Sequence, residues 1–249
     1  MNFAAIIPAR YESTRFPGKP LALLNGIPMI QHVVKNVSKT IENVWVATDD
    51  DRIFEVVQSF GGNAVMTSKE HQSGTDRCAE AARILSGKFS FDVVINVQGD
   101  EPFIQPEQIE LLKSCFSGNE EIATLVKKID SRDELFNPNR PKVVLDNSFN
   151  ALYFSRSPIP YFRGTEEKKW HTMFPYWVHI GMYAYKTEVL QKITRLQQGK
   201  LEKTESLEQL RWIENGFKIK VAETSHQSIG IDTPEDLQNA ENYLHSATQ

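Results

Sequence analysis

Short, almost wholly apolar runs alternate with amphipathic segments through the first half of the chain. Residues 4–7 (Ala-Ala-Ile-Ile) have the continuous apolar character of a strand buried on both faces, closed by Pro8. Pro28 fits the first turn of a helix in which Met29, Ile30, Val33, Val34 and Val37 recur at helical spacing. Residues 44–47 predict a second strand; the acidic turn Thr48-Asp49-Asp50-Asp51 follows, then a helix with Ile53, Val56, Val57 and Phe60 on one face, ended by Gly61-Gly62. Residues 64–66 predict a third strand. The loop His71-Gln72-Ser73-Gly74-Thr75-Asp76-Arg77 leads into a helix reaching about Leu85, and residues 93–97 form a fourth strand that empties into Gln98-Gly99-Asp100-Glu101-Pro102. Pro106 opens the next helix, marked by Ile109, Leu112 and Phe116. This alternation predicts an α/β fold: a mostly parallel sheet, helices on both faces, right-handed crossovers.

From Ile122 the rhythm changes. Residues 122–126, 142–145, 151–154 and 176–185 all read as strands with little helix between them, so an inserted small sheet or arm is expected over about residues 122–185 of a single domain spanning residues 1–249. Thr204 caps a predicted helix running to Asn215, Gly216 stops it, and Phe217, Ile219 and Val221 alternate as a late strand. The last helix starts at Thr233-Pro234-Glu235-Asp236, with threonine as cap, proline at the first position and two acids at the positive end of the dipole.

Composition narrows the classes. With 40% hydrophobic and 24% charged residues over 249 positions, the chain is ordinary globular material with enough apolar side chains for a sizeable core. A net charge of -4 argues against nucleic acid or an anionic membrane as partner. Cys78 and Cys115 have no metal-ligand spacing and read as buried free thiols. Met1 is followed almost directly by the first strand, and no apolar run approaches the roughly 18 residues of a membrane helix, so a cytoplasmic location is expected.

Candidate chemistry gathers where predicted strands end. Arg10, Arg15 and Lys19 follow the first strand, interspersed with rigid Pro8, Pro17 and Pro20 and permissive Gly18, which reads as a seat for an anion such as a triphosphate or as a solvated basic loop. The loop carries neither a P-loop nor a Gly-x-Gly-x-x-Gly pattern. Asp100, at the end of an apolar strand, is placed either to hold magnesium or to shape a turn beside Gly99; Asp232 precedes the helix cap, is not needed for capping and has Gly230 nearby to admit a ligand, yet taken alone it reads as structural. Taken together, two carboxylates holding magnesium and three cations neutralising phosphates suit nucleotidyl transfer without a protein nucleophile. The chain also lacks a Gly-x-Ser-x-Gly elbow and a His-Glu-x-x-His motif.

Several long motifs, in order over residues 3 to about 240, then carry a family resemblance. They are Ile-Pro-Ala-Arg-Tyr-x-Ser-Thr-Arg-Phe-Pro-Gly-Lys-Pro-Leu, Ala-Thr-Asp-Asp, His-Gln-Ser-Gly-Thr-Asp-Arg, Asn-Val-Gln-Gly-Asp-Glu-Pro, Ala-Leu-Tyr-Phe-Ser-Arg, His-Ile-Gly-Met-Tyr, Leu-Glu-Gln-Leu-Arg and Asp-Thr-Pro-Glu-Asp-Leu. The sequence resembles the 3-deoxy-manno-octulosonate (Kdo) cytidylyltransferases, the CMP-Kdo synthetases. The resemblance implies a Rossmann-like nucleotide-diphospho-sugar transferase fold and the reaction of CTP with Kdo to CMP-Kdo and diphosphate, for lipopolysaccharide assembly, in a homodimer to which the inserted sheet contributes. It implies that Ala9, Arg10, Arg15, Lys19, Ser73, Arg77, Gln98 and Asp100 bind the nucleotide, and that Asp100 and Asp232 hold Mg2+. For the sugar, an acid with many hydroxyls, it implies Arg156, His179, Tyr183, Glu208 and Gln209; by themselves these residues read as core, satisfied polar groups or an exposed helix face. Two positions depart from the family pattern: Val178 stands where many members carry arginine, and Asp76 where many carry glutamate. The missing cation keeps 8-amino-Kdo as an alternative substrate, and the related activation of sialic or another ulosonic acid stands as the second reading. A catalytically silent nucleotide-binding module is disfavoured by Asp100 and Asp232 standing together with Lys19.

Overall fold

The computed structural model describes residues 1–227 and 230–247. The chain divides into two compact units, residues 1–110 with 228–249 and residues 111–227. In chain order the first contains β1 (Phe3–Ala9), the hairpin β2 (Leu23–Leu24) and β3 (Ile27–Pro28), α1 (Met29–Val37), β4 (Val44–Thr48), α2 (Asp51–Ser59), β5 (Asn63–Met66), α3 (Gly74–Leu85), β6 (Val93–Asn96) and the start of α4 (Pro106–Ser114). The second contains β7 (Ile122–Lys128), α5 (Arg132–Phe136), β8 (Lys142–Leu145), β9 (Ala151–Ser155), α6 (Trp170–Met173), β10 (Trp177–Lys186), α7 (Thr187–Ile193), α8 (Lys200–Glu205), α9 (Gln209–Glu214) and β11 (Ile219–Glu223). The chain then re-enters the first unit as α10 (Pro234–Ala247).

In the first unit β6, β1, β4 and β5 lie side by side, all parallel. Ala4, Ala5, Ile6 and Ile7 are each at most 1% exposed. Successive side chains point to opposite faces of a sheet, so both faces of β1 are covered. The cover comes from apolar helix stripes: Met29, Ile30, Val33 and Val37 on α1, Ile53 and Val57 on α2, and Cys78, Ala81, Ala82 and Leu85 on α3. Pro8 does not close the first strand as expected. The ladder continues past it to Ala9 opposite Thr48, since one missing N–H leaves the flanking pairs intact. The expected loop also ends earlier, because Ser73 and Asp76 form a reciprocal capping box that starts α3 at Gly74. The α10 start follows the expected pattern, with Thr233 Oγ1 accepting from Asp236 N at 3.1 Å.

The second unit is a mixed sheet in which β7 pairs β11 in parallel and β10 antiparallel, β10 pairs β8, and β8 pairs β9. Ile129, Leu135, Trp170, Tyr176 and Val178 form an aromatic-rich core cluster there. The β7–β10 register shifts between Ile180 and Tyr183. Instead of one helix over 204–215, the chain breaks at Ser206, whose φ of +51° ends α8 before α9 begins.

Ile95 lies fully buried in β6, the strand that carries the polar segment 98–100 at its end. Ile95→Ala is expected to cost about 2–5 kcal/mol, read as a lower urea midpoint with an unchanged m-value.

Candidate active site

The site is built where β1 and β6 end in the first unit. After Ala9 the chain forms a loop closed by Gly18 N donating to Tyr11 O at 2.8 Å. Gly18 has φ +73°, and a Cβ there would meet the Tyr11 ring at 3.0 Å, so glycine is required on both conformational and packing grounds. Lys19 begins a 3-10 turn immediately afterwards. On β6 the segment Gln98-Gly99-Asp100 turns past β1; a Cβ at Gly99 would lie 3.0 Å from Pro8 O, so the absent side chain permits that approach. Ile231 N donates to Asp100 O at 2.9 Å, which ties the segment before α10 to the end of β6 and brings Asp232 beside Asp100.

The result is a compact charge cluster. Lys19 Nζ lies 2.5 Å from Asp100 Oδ2 and 3.0 Å from Asp232 Oδ1, while Arg15 Nη2 lies 3.0 Å from Asp232 Oδ2. The Lys19 side chain is only 12% exposed and that of Arg15 64%, so the ammonium is enclosed and the guanidinium remains open to solvent. Two carboxylates converging on one cation would repel each other without it.

These groups line a cleft of about 420 Å³ that also takes in Ala9, Arg10, Arg77 and Gln98. Of the nucleotide residues expected from the sequence, Ser73 caps α3 with its hydroxyl, which accepts from Asp76 N at 3.1 Å. Arg77 reaches the cleft, but it is 3% exposed and its guanidinium is held by Asp49 at 2.9 Å and Thr67 Oγ1 at 2.6 Å. Glu12, Ser13 and Thr14 line the cleft too, though nothing in the pattern of cations pointed to them. Among the described residues no group of three or more His, Cys, Asp or Glu is placed to hold a metal ion. Two carboxylates are nevertheless a donor set that fits magnesium, which keeps several waters and takes further oxygens from substrate phosphates.

The residues expected for the sugar all belong to the second unit. The β10 register shift leaves the Met182 carbonyl to accept from Thr124 Oγ1 at 2.8 Å, and His179 Nε2 lies 3.0 Å from the same hydroxyl. With the Thr124 proton committed to Met182, His179 donates from Nε2 and is left with Nδ1 as an acceptor. Burial pushes the His179 imidazolium down to about 3, so the ring is neutral. Tyr183 lies 5.2 Å from the His179 ring and 5.1 Å from Trp212, centroid to centroid, and burial followed by the Glu208 charge raises its phenol well above the ordinary range. Glu208 is held by Arg211 at 3.1 Å, and Arg211 is itself paired with buried Glu202 at 3.0 Å. Gln209 Nε2 and Trp212 Nε1 are buried with no hydrogen-bond partner among the described residues. Arg156 is clamped by the carbonyls of Pro138, Glu205 and Ser206. Trp212, Arg211 and Thr124 were not singled out in the sequence; Arg211, three positions after Glu208 on one helical face, had a readable signal.

Cations at a strand end facing two carboxylates, on a parallel α/β sheet, define a nucleotidyltransferase of the nucleotide-diphospho-sugar transferase fold. Residues 4–220 match the cytidylyltransferase family. The chain is 56% identical over 249 residues to 3-deoxy-manno-octulosonate cytidylyltransferase of Parabacteroides distasonis, covering 98% of both chains. It is 48% identical over 246 residues to 8-amino-3,8-dideoxy-manno-octulosonate cytidylyltransferase of Shewanella piezotolerans, covering 97% of this chain and 98% of that one. A solved CMP:2-keto-3-deoxy-manno-octonic acid synthetase complexed with CTP superposes with a TM-score of 0.90 at 41% identity, over 99% of this chain and 100% of that one. The chain belongs to the 3-deoxy-manno-octulosonate cytidylyltransferase family.

The His179 environment has a measurable consequence. The unfolded chain takes up a proton near the ordinary value of 6.5, whereas folded His179 does so only near 3. Its contribution to stability is therefore present above pH 6.5 and lost as pH falls towards 3. In His179→Phe this part of the acid dependence of Tm is expected to disappear, and the wild-type imidazole carbon shifts are expected to stay those of the neutral ring at pH 5.

Proposed function

We propose that the protein transfers the cytidylyl group of CTP to Kdo, giving CMP-Kdo and diphosphate. The observation that carries this reading is the convergence of Lys19, Arg15, Asp100 and Asp232 at the ends of β1 and β6. The anomeric hydroxyl oxygen of the sugar bonds to the α-phosphorus, the bond from that phosphorus to the oxygen bridging to the β-phosphate breaks, diphosphate leaves and the hydroxyl proton passes to solvent. Such a direct displacement needs no protein nucleophile. Arg10 and Arg15 grip the phosphates from the open side of the cleft, and Lys19 neutralises the charge that grows on the departing diphosphate. Ala9, Gln98 and the Ser73–Arg77 turn shape the nucleotide end, with Arg77 acting as a wall fixed by Asp49 and Thr67. Asp100 and Asp232 would hold Mg2+, which when bound neutralises triphosphate oxygens and makes the sugar hydroxyl more acidic.

For the sugar, Arg156 supplies the cation for the carboxylate, and His179, Tyr183, Glu208 and Gln209 supply hydrogen bonds to hydroxyls. The unsatisfied amide of buried Gln209 supports this reading, because a buried donor without a protein partner is costly unless a ligand accepts from it. The reading extends to a homodimer with its contact on the second unit, where Phe149, Leu152 and Phe174 are exposed, and to a cytoplasmic supply of CMP-Kdo for lipopolysaccharide. Among the described residues no helix is long and apolar enough to cross a membrane.

Incubation with CTP, Mg2+ and each of Kdo, 8-amino-Kdo and sialic acid, read by mass spectrometry, is expected to give CMP-Kdo as the main product. Failure with Kdo alongside turnover of the amino sugar would transfer the assignment to 8-amino-Kdo. Asp100→Ala and Asp232→Ala are each expected to lower kcat by on the order of 10³ or more with little change in Tm, and near-wild-type turnover in either would remove it from the metal site. Lys19→Ala is expected to depress kcat more than it raises KM; a change confined to KM would reassign Lys19 to ground-state binding.

A further inference from the structure

The loop carrying Arg10, Arg15 and Lys19 gathers like charges on a polar, largely open segment, and something must hold it in shape. Its backbone closure, Gly18 N to Tyr11 O, brings the Tyr11 ring against the Gly18 backbone. The ring meets a second partner, Arg52, whose guanidinium carbon lies 3.3 Å from the ring centroid. Arg52 is itself locked: Nε donates to Asp50 Oδ1 at 2.9 Å and Nη2 to Asp50 Oδ2 at 2.6 Å, the paired geometry in which a guanidinium is least free to turn. Asp50 is in turn the N-cap of α2, accepting from Arg52 N at 3.0 Å, and α2 is anchored in the core by Ile53 and Val57. One continuous stack therefore runs from a helix fixed in the core, through carboxylate, guanidinium and phenol ring, to the glycine that immediately precedes Lys19.

We propose that Arg52 and Tyr11 are positioning residues for the cationic loop, holding Arg10, Arg15 and Lys19 in the arrangement that binds the triphosphate. This rests on the reading of the cleft as the CTP site. Arg52 acts through the ring rather than on the phosphates, since its plane edge is occupied by Asp50 and its face by Tyr11. Arg52→Ala removes the outer partner of the ring and leaves the Asp50 cap, the core anchors and every residue of the cleft in place. Tyr11→Phe keeps the ring and Tyr11→Leu removes it.

The test measures CTP binding by calorimetry and steady-state kinetics on the full chain, for the wild type, Arg52→Ala, Arg52→Lys, Tyr11→Phe, Tyr11→Leu and the double variant Tyr11→Leu/Arg52→Ala. Arg52→Ala is expected to weaken CTP binding about two- to five-fold, the scale of a cation–π contact at an exposed site, and to raise KM for CTP by the same factor, with KM for the sugar and Tm unchanged. Arg52→Lys recovers part of the loss because a cation still covers the ring, and Tyr11→Phe binds as the wild type. The double variant binds no worse than Tyr11→Leu alone, because without the ring Arg52 has nothing to position. Unchanged CTP affinity in Arg52→Ala, or losses that multiply in the double variant, would overturn the proposal; the second result would place Arg52 directly on the phosphates. Loss of Tm in step with affinity would make the stack a stability element and overturn it too. A wild type that fails to bind CTP overturns the cleft assignment and this inference together, whereas a wild type that binds it with an indifferent Arg52→Ala overturns this inference alone.

Discussion

Holding two carboxylates against one ammonium is the constraint on which the first unit's strand ends depend. Asp100 and Asp232 come from segments more than 130 positions apart, and the backbone bond from Ile231 to Asp100 sets them side by side. That bond is possible because Gly99 lets the end of β6 run past Pro8 without a side chain in the way. Lys19 then occupies the space between like charges, with Arg15 taking the outer oxygen of Asp232. Under the proposed reaction Asp100 and Asp232 would hold a metal, and Lys19 and Arg15 would neutralise phosphate oxygens. Lys19 is enclosed and Arg15 open to solvent, so the two cations meet the cleft from different sides.

In the second unit neutral polar groups stand beside fixed charges such as Arg156 and Glu208. His179 is kept neutral by burial, Thr124 is committed to the carbonyl exposed by the β10 irregularity, and Tyr183 stacks on Tyr185 and meets Trp212 edge-on. In the ion network Glu202–Arg211–Glu208 both carboxylates are matched to a single guanidinium. Neutral donors and acceptors of fixed direction suit a ligand rich in hydroxyl groups, because each discriminates by geometry and an unmatched one is penalised.

Legibility in the sequence followed the physical origin of each feature. β1 and β6 were readable because strands covered on both faces must be continuously apolar, and the capping pattern before α10 because caps are local. The α3 start is equally local, in Ser73 and Asp76, a capping pair whose acid is aspartate in place of the usual glutamate or glutamine. The break between α8 and α9 was not readable: the apolar period continues through it, and the carbonyls of Glu205 and Ser206 are turned instead to the distant Arg156. The burial of Arg77 on Asp49 and Thr67 was hidden for the same reason, since partners 28 and 10 positions away leave no periodic trace. In the site, the cations and carboxylates at strand ends declared themselves, while Tyr11, Arg52 and Trp212, whose roles depend on what they touch, did not.

The discontinuity of the first unit also orders events during synthesis. Residues 1–110 emerge from the ribosome with Arg10, Arg15, Lys19 and Asp100 already present, but Asp232 is made only after the whole second unit. Until then only one of the two carboxylates that meet Lys19 exists, and α10 is still to be made. The last partner of the charge cluster is thus nearly the last part to be synthesised, so a message truncated anywhere in the second unit yields a fragment that carries the cationic loop without the second carboxylate.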